Sequence, residues 1–151
     1  MPTNLYGPGD NFDLETSHVV PALMRKCHEA HVDAQEYMEV WGSGNVRREF
    51  LYVDDCATGI VFLLKNYSDN QHVNLGTGMD ITVRELAEQI KATVGFAGTL
   101  KFDPTKPDGT PRKLLDITLI NRLGWRAKTF IDGGLTDTYQ YYLKTVNKAT
   151  V

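Results

Sequence analysis

The chain has 151 residues, of which 42% are apolar and 23% charged, with a formal net charge of −3 at pH 7. This suits one domain with a buried core, and it argues against a nucleic-acid partner. No run of about 18 apolar residues and no leader sequence occurs, and Cys27 and Cys56 follow no disulfide spacing. Cys27 lies one helical turn from His31, but no second cluster completes a metal site. We therefore expect a reduced, cytoplasmic protein without metal and without a membrane span.

Apolar periodicity predicts alternating helices and strands, and hence the α/β class. Residues 1–12, rich in Pro and Gly, predict a loop, and a helix over 17–30 follows with Ser17 as its cap. Strands are predicted over 36–41, 48–53, 72–75 and 100–103. Further helices are predicted after Asp54 or Asp55, after the capping box Thr82–Glu85, at Thr118 and after Thr129.

The stretch WGSGNVRREFLYVDD, residues 41–55, joins an aromatic residue, a Gly-Ser-Gly turn and two arginines. An arginine can hold a phosphate with two parallel hydrogen bonds. The stretch therefore predicts one wall of a site for an anion attached to a flat or ring-shaped group, with Trp41 buried. An ordinary hairpin with two solvated arginines is the alternative.

Gly76-Thr77-Gly78 follows a predicted strand and precedes a helix, where a dinucleotide-binding fingerprint would lie. Ile81 stands where the third glycine of G-x-G-x-x-G belongs, so we interpret the segment as a turn and not a phosphate cradle. The glycines at 42 and 44 fail the same test. The chain therefore carries no complete cofactor fingerprint of its own.

Two further segments have a composition suited to a site. His18 opens a helix after a loop rich in Gly, Pro and Asn, where it can reach into a cleft and move a proton near neutral pH. The loop KPDGTPRK, residues 106–113, places three cations and Asp108 on a Pro/Gly frame that can close over a phosphate or a ribose diol. A solvated histidine and a solvated surface loop are the respective alternatives.

Three motifs resemble the extended short-chain dehydrogenase/reductases that act on nucleotide sugars: NLYGPGD at 4–10, REFLYVDD at 48–55 and VNLGTG at 73–78. Within that family, five segments look like the members that convert GDP-4-keto-6-deoxy-D-mannose into GDP-L-fucose by NADPH-dependent epimerisation and reduction. These segments are DNF at 10–12, SHV at 17–19, WGSG at 41–44, KPDGTPRK at 106–113 and LGW at 123–125.

The resemblance implies roles for individual residues. Lys26 and Arg48 would hold the diphosphate of a GDP-sugar, Trp41 would pack on it, and His18 would be an acid/base of the epimerisation. The implied cofactor is NADP(H), with residues 2–5 along its nicotinamide end. The resemblance thus implies His18 as the catalytic residue. It implies that Pro2, Thr3, Asn4, Leu5 and His18 bind the cofactor, and that Lys26, Trp41, Arg48 and Asp108 bind the substrate.

The family's first half has no counterpart in these 151 residues: the G-x-x-G-x-x-G turn, the catalytic Ser, the Tyr-x-x-x-Lys pair and the catalytic Cys are absent. The chain also opens on a turn with no preceding element. We therefore expect a single fragment, residues 1–151, of a Rossmann-type extended short-chain dehydrogenase/reductase fold. It would hold the substrate-binding lobe and the last pieces of the Rossmann sheet, at about 1–16 and 48–78, and lack the N-terminal nucleotide-binding half.

Two consequences of this expectation concern activity and assembly. Alone, the fragment is expected to be catalytically inert. The strand at 73–75 would be an exposed edge, so association into a homo-oligomer is expected. Two other functions stay open: another nucleotide-sugar epimerase or dehydratase, and a non-catalytic module that binds a nucleotide sugar.

Overall fold

A computed structural model describes residues 1–149. Strands and helices alternate along the chain, as the periodicity predicts, so the α/β class is confirmed. No helix in this part of the chain has both the length and the apolar character needed to cross a bilayer. The elements are β1 (Asn4–Tyr6), α1 (Val19–Val32), β2 (Tyr37–Trp41), β3 (Arg47–Tyr52), α2 (Val53–Asn66), β4 (Asp80–Thr82), α3 (Val83–Val94), β5 (Thr99–Asp103), β6 (Arg112–Lys113), α4 (Thr118–Leu123) and α5 (Ile131–Ala149).

Strand β3 organises the larger sheet. Its second half, residues 50–52, pairs in parallel with β1. Its first half pairs antiparallel with β4 and parallel with β6. Strands β2 and β5 form a separate parallel pair. Since β2 and β3 do not pair with each other, the hairpin alternative for residues 41–55 is wrong.

The predicted capping box at the start of α3 is confirmed. Thr82 Oγ1 accepts a hydrogen bond from the Glu85 amide at 3.0 Å, and the Glu85 carboxylate accepts one from the Thr82 amide at 2.7 Å. The helix ends at Gly95, whose φ of 80° is the left-handed conformation that glycine adopts without a steric penalty. Local sequence therefore determines both ends of α3.

The caps predicted for α1 and α2 are wrong. His18 is the N-cap of α1 and Tyr52 that of α2, and neither side chain makes a capping hydrogen bond. The Ser17 hydroxyl is buried without a partner among the described residues. The Asp55 carboxylate is buried as well, and it accepts hydrogen bonds from the amides of residues 128 and 129. Tertiary packing, and not capping, therefore positions both helix starts.

The main core lies between helices α1, α3 and α5 and strands β2 and β3. Met38 and Val40 of β2 point into it, so the alternate position Trp41 points outward and is 60% exposed. The expectation of a buried Trp41 is therefore wrong. A second core forms beneath α2 and α4 from Leu51, Cys56, Val73, Leu75, Ile120 and Trp125.

The predicted strand at 72–75 is reduced to a single bridge. Leu75 pairs with Pro2 in parallel, and the backbone hydrogen bonds join Leu75 to Thr3 at 3.0 Å and to Met1 at 2.9 Å. The first residues of the chain therefore cover one edge of this segment. Association of copies through the segment stays a prediction.

Candidate functional site

Three adjoining cavities hold all the residues predicted for the site. The N-terminal cavity, about 480 Å³, lies between residues 2–10 and His18. The helix cavity, also about 480 Å³, lies between the start of α1 and Trp41. The loop cavity, about 180 Å³, lies between Trp41, Arg48 and Asp108. The N-terminal cavity is lined by Pro2, Thr3, Asn4, Leu5 and His18. The helix cavity is lined by His18, Lys26 and Trp41. The loop cavity is lined by Trp41, Arg48 and Asp108. Their individual roles stay predictions.

His18 is exposed and lines two of these cavities. The loop before it is held by the Asp13 carboxylate, which accepts hydrogen bonds from the Glu15 amide and from the amide and hydroxyl of Thr16, each at 3.0 Å. These bonds, led by that of the hydroxyl, hold the pKa of Asp13 below its usual value. The histidine therefore stands at the end of an ordered loop and can turn its ring toward either cavity.

Asp10 lies in the wall of the N-terminal cavity and was not predicted as a site residue. Its Oδ1 accepts a hydrogen bond from the Asn11 amide at 2.8 Å, while its Oδ2 is buried without a partner in residues 1–149. Burial raises the pKa of Asp10, and the hydrogen bond and nearby His18 partly oppose this. The sequence hardly indicates Asp10 as a site residue, because a Gly-Asp-Asn segment is typical of any turn.

Residues 2–5 form one wall of the N-terminal cavity. The side chains of Thr3 and Asn4 both donate to the Glu49 carbonyl, at 3.3 and 2.8 Å, and the Thr3 amide donates to Leu75. Pro2 and Leu5 are exposed beside them. The position of a cofactor along residues 2–5 stays a prediction.

Two cationic side chains lie over the ring of Trp41. The Lys26 Nζ is 4.5 Å from the centre of the indole ring and the Lys106 Nζ is 5.4 Å from it. Both distances allow a cation–π interaction. The indole nitrogen donates to the Glu39 carboxylate at 3.2 Å. Lys106 was predicted only as one cation of its loop.

The two adjacent arginines of β3 have different surroundings. Arg47 is paired with Asp80 at 3.0 Å and lies 3.9 Å from the Glu85 carboxylate. Arg48 donates to the Arg47 carbonyl at 2.8 Å, and no carboxylate of residues 1–149 forms an ion pair with it. Arg48 also lines the loop cavity. Of the predicted pair, Arg48 is therefore the arginine available for an anionic ligand.

Asp108 connects its loop to the glycine turn after β2. Its carboxylate accepts from the amide and from the hydroxyl of Ser43, each at 2.7 Å. Gly42 has a φ of 88°, and a Cβ at this position would overlap an oxygen of the Asp108 carboxylate. The glycine is therefore required for the loop to approach, and the carboxylate that was predicted to contact a ligand already has two protein donors.

Glu49 is the most deeply buried carboxylate of the site region, and nothing in its sequence surroundings indicates this. It is fully buried, and it accepts hydrogen bonds from the amides of Thr77 and Gly78 at 2.7 Å and of Leu115 at 2.9 Å. The Gly76-Thr77-Gly78 turn is thus bound to a protein carboxylate, in agreement with its interpretation as a turn. No group of three His, Cys, Asp or Glu side chains within residues 1–149 is arranged to hold a metal ion.

The cavities lie where the class of fold places ligands. Trp41 and Asp103 end the parallel strands β2 and β5, and the loops that follow them line the loop cavity. Ligands of α/β proteins bind in this position, beyond the carboxyl ends of parallel strands. Fold and site therefore define an α/β protein with a ligand cleft at the ends of its strands.

Residues 1–76 match the model of the NAD dependent epimerase/dehydratase family, which is just over half of the chain. The chain belongs to this family. The resemblance to nucleotide-sugar enzymes stated from the motifs is confirmed by relatives and solved structures.

The chain is 58% identical over 146 residues to "GDP-L-fucose synthase 1" of Arabidopsis thaliana, covering 97% of the chain and 45% of the relative. It is 46% identical over 157 residues to the GDP-L-fucose synthase of Escherichia coli K12, covering 98% and 49%. A crystal structure of a GDP-L-fucose synthetase from Naegleria fowleri bound to NADP matches with a TM-score of 0.91 at 32% identity, covering 97% and 46%. The chain spans about half the length of the curated relatives it matches.

Proposed function

We propose that this chain is the substrate-binding part of a GDP-L-fucose synthase, which epimerises and reduces GDP-4-keto-6-deoxy-D-mannose to GDP-L-fucose with NADPH. The observation that carries the proposal is Arg48, a cation without a carboxylate partner in the described residues, beside an exposed Trp41. Such a pair suits a diphosphate attached to a ring, since the arginine can bind phosphate oxygens and the indole can pack on an apolar face. The relatives are named GDP-L-fucose synthases, which supports the same product.

Each predicted residue then has a task. Arg48 and Lys26 hold the diphosphate, and Trp41 packs on the ligand. His18 moves a proton of the sugar during epimerisation, since an exposed imidazole at the junction of two cavities can reach the substrate and exchange protons with water. When bound, the cofactor would supply a hydride for the reduction, with its nicotinamide along residues 2–5.

Asp108 has a narrower task than the resemblance implies. Two of its lone pairs accept hydrogen bonds from Ser43, which leaves others for a hydroxyl group of the ligand. We expect Asp108 to act on the ligand mainly through the position of its loop.

Alone, the chain is expected to be inactive. Its 151 residues contain no Tyr-x-x-x-Lys pair, which in the family gives a proton to the keto oxygen while NADPH delivers hydride. The purified chain should therefore fail to oxidise NADPH in the presence of the keto sugar nucleotide. Measurable oxidation would contradict this expectation.

Calorimetric titration of the chain with GDP, UDP and NADPH tests the binding proposal. We expect GDP to bind more tightly than UDP. Equal affinity for UDP would favour another nucleotide-sugar epimerase or dehydratase, and no binding of either nucleotide would contradict the assignment of the site to this chain.

Strand β2 offers a matched control for this titration. Tyr37 and Trp41 are both exposed aromatic residues, and each has a lysine over its ring, but only Trp41 lines a cavity. Trp41→Ala should weaken GDP binding, and Tyr37→Ala should leave it unchanged. Equal effects of the two substitutions would contradict the site.

A further inference from the structure

We propose that Lys106 and Lys26 form an anion subsite at the Trp41 ring, in which Lys106 is a binding residue for the phosphate part of the ligand. The inference rests on the proposed function, because it divides the negative charge of an organic diphosphate between Arg48 and this lysine pair. Lys106 has no role in the site residues predicted from the sequence.

The first argument is the convergence of two cations on one aromatic ring. Lys26 comes from α1 and Lys106 from the loop after β5, and their Nζ atoms lie 4.5 and 5.4 Å from the indole centre. Bringing two like charges together costs electrostatic energy, which the ring offsets in part. An anion between or beside the two ammonium groups would remove that cost.

The second argument is that the loop holding Lys106 is anchored on both sides of it. Before it, the Asp103 carboxylate accepts from the Thr105 hydroxyl at 2.6 Å and from the Thr105 amide at 3.0 Å, and the Lys106 amide donates to the Asp103 carbonyl at 3.2 Å. After it, Asp108 accepts two hydrogen bonds from Ser43. The ammonium group is therefore carried to the ring by a fixed backbone, as a binding residue requires.

The third argument is the balance of charge. Three carboxylates of this region accept hydrogen bonds from neutral groups, Asp103 from Thr105, Asp108 from Ser43 and Glu39 from the indole nitrogen. No ion pair formed within residues 1–149 includes Lys26, Lys106 or Arg48. Glu39 contacts the ring through the indole nitrogen, and its strand neighbour in register is Lys101. The three cations at Trp41 therefore form no ion pair among the described residues that an anionic ligand would have to break.

Fluorescence quenching of Trp41 measures this charge without any nucleotide. Iodide is an anionic quencher and acrylamide a neutral one, so a local positive potential raises quenching by iodide alone. We expect Lys106→Ala to lower the iodide quenching constant about twofold, the effect of removing one nearby charge in water. Acrylamide quenching should stay the same. Trp125, the other tryptophan, is 8% exposed, and its signal is measured in Trp41→Phe and subtracted.

Lys101→Ala is the matched control. Lys101 also lies over an aromatic ring of β2, with its Nζ 3.4 Å from the centre of Tyr37, whereas Lys106 lies over Trp41. Its removal should change iodide quenching much less than that of Lys106. An unchanged iodide constant in Lys106→Ala, or an equal fall in Lys101→Ala, would overturn the proposal.

Titration with inorganic pyrophosphate and GDP separates this inference from the proposed function. If the subsite is correct, pyrophosphate binds to the chain and binds more weakly to Lys106→Ala, whichever base the full ligand carries. A chain that binds pyrophosphate through Lys106 but prefers UDP to GDP would retain the subsite and contradict the GDP-L-fucose assignment. A chain that binds GDP equally with and without the Lys106 side chain would retain the assignment and contradict the subsite.

Discussion

Two adjacent arginines of one strand mark two regions with opposite organisation. Around Arg47, the buried Asp80 carboxylate also binds Arg112, and Glu85 lies within 3.9 Å, so cations and carboxylates compensate each other. Around Arg48, the cations stand beside an exposed aromatic ring without carboxylate partners among the described residues. The two regions share a strand and differ in their charge balance.

This difference separates stabilisation from binding. Around Arg47, the Asp80 carboxylate of β4 joins β3 and β6 by binding one arginine from each. Arg47 is 33 positions from Asp80 in the chain, and Arg112 is 32 positions from it. The cations around Arg48 form no ion pairs among the described residues, so they remain available to a bound anion. The strand therefore has a structural side, where loss of a group should cost stability, and a binding side, where it should cost affinity.

The largest loss of stability is expected on the structural side, at Glu49. Glu49→Ala leaves the partly buried amides of Thr77, Gly78 and Leu115 without an acceptor, and we expect the free energy of unfolding to fall by about 3 kcal/mol. Urea denaturation measures it. The exposed Glu88 is the control, and Glu88→Ala should stay within about 0.5 kcal/mol of the parent chain. Similar midpoints for the two variants would contradict the structural role of Glu49.

Two neighbouring glycines of α5, Gly133 and Gly134, differ in the space available for a side chain. A Cβ at Gly134 would lie 2.9 Å from Tyr6 Cζ, and at Gly133 it would meet nothing within 4 Å. Gly134→Ala should therefore destabilise the chain by about 1–3 kcal/mol, since it overpacks a buried ring. Gly133→Ala should stabilise it by about 0.5–1 kcal/mol, because alanine is the better helix former. If the melting temperatures of both variants shift in the same direction from that of the parent chain, this packing is contradicted.

The arginines themselves give a smaller difference in stability. Arg47→Ala removes one partner of Asp80 and should cost about 1 kcal/mol, since Arg112 still binds the carboxylate. Arg48→Ala should leave the free energy of unfolding unchanged or slightly raised, because it removes an uncompensated charge. Chemical denaturation of both variants tests the contrast, and a greater loss in Arg48→Ala would reverse the assignment of the two sides.

The smallest effect is expected in acid. The hydrogen bond from Arg112 and then that from Arg47 hold the pKa of Asp80 below its usual value of 3.8. A lowered pKa stabilises the fold above the unfolded value, and that contribution is lost as the pH falls through the lowered pKa. Melting temperatures below about pH 4 should therefore fall less steeply in Asp80→Asn than in the parent chain. Asp69→Asn, at an exposed carboxylate, should show the parent slope.

Some features that depend on neighbouring residues could be predicted from the sequence, although the N-caps of α1 and α2 could not. The Thr82–Glu85 capping box and the motif that contains Arg48 each span only a few positions. The α/β alternation follows from the apolar periodicity of each element. The family resemblance also depended on such short segments. All of these are confirmed as structure or as family membership.

Features that depend on distant contacts could not be predicted. The exposure of Trp41 follows from the pairing of β2 with β5, some 60 residues later, and not with β3. The partners of Glu49 lie 28 to 66 residues away, and its side chain resembles any strand-surface glutamate in the sequence. Local periodicity does not contain this information.

The central claim is that Arg48 binds the ligand and Arg47 holds the fold. Calorimetric titration of GDP into the parent chain, Arg47→Ala and Arg48→Ala tests it most directly. We predict that Arg48→Ala weakens GDP binding at least about tenfold, the loss expected for a charge-assisted hydrogen bond, and that Arg47→Ala stays within about twofold of the parent. Equal losses in both variants, or full affinity in Arg48→Ala, would contradict the claim.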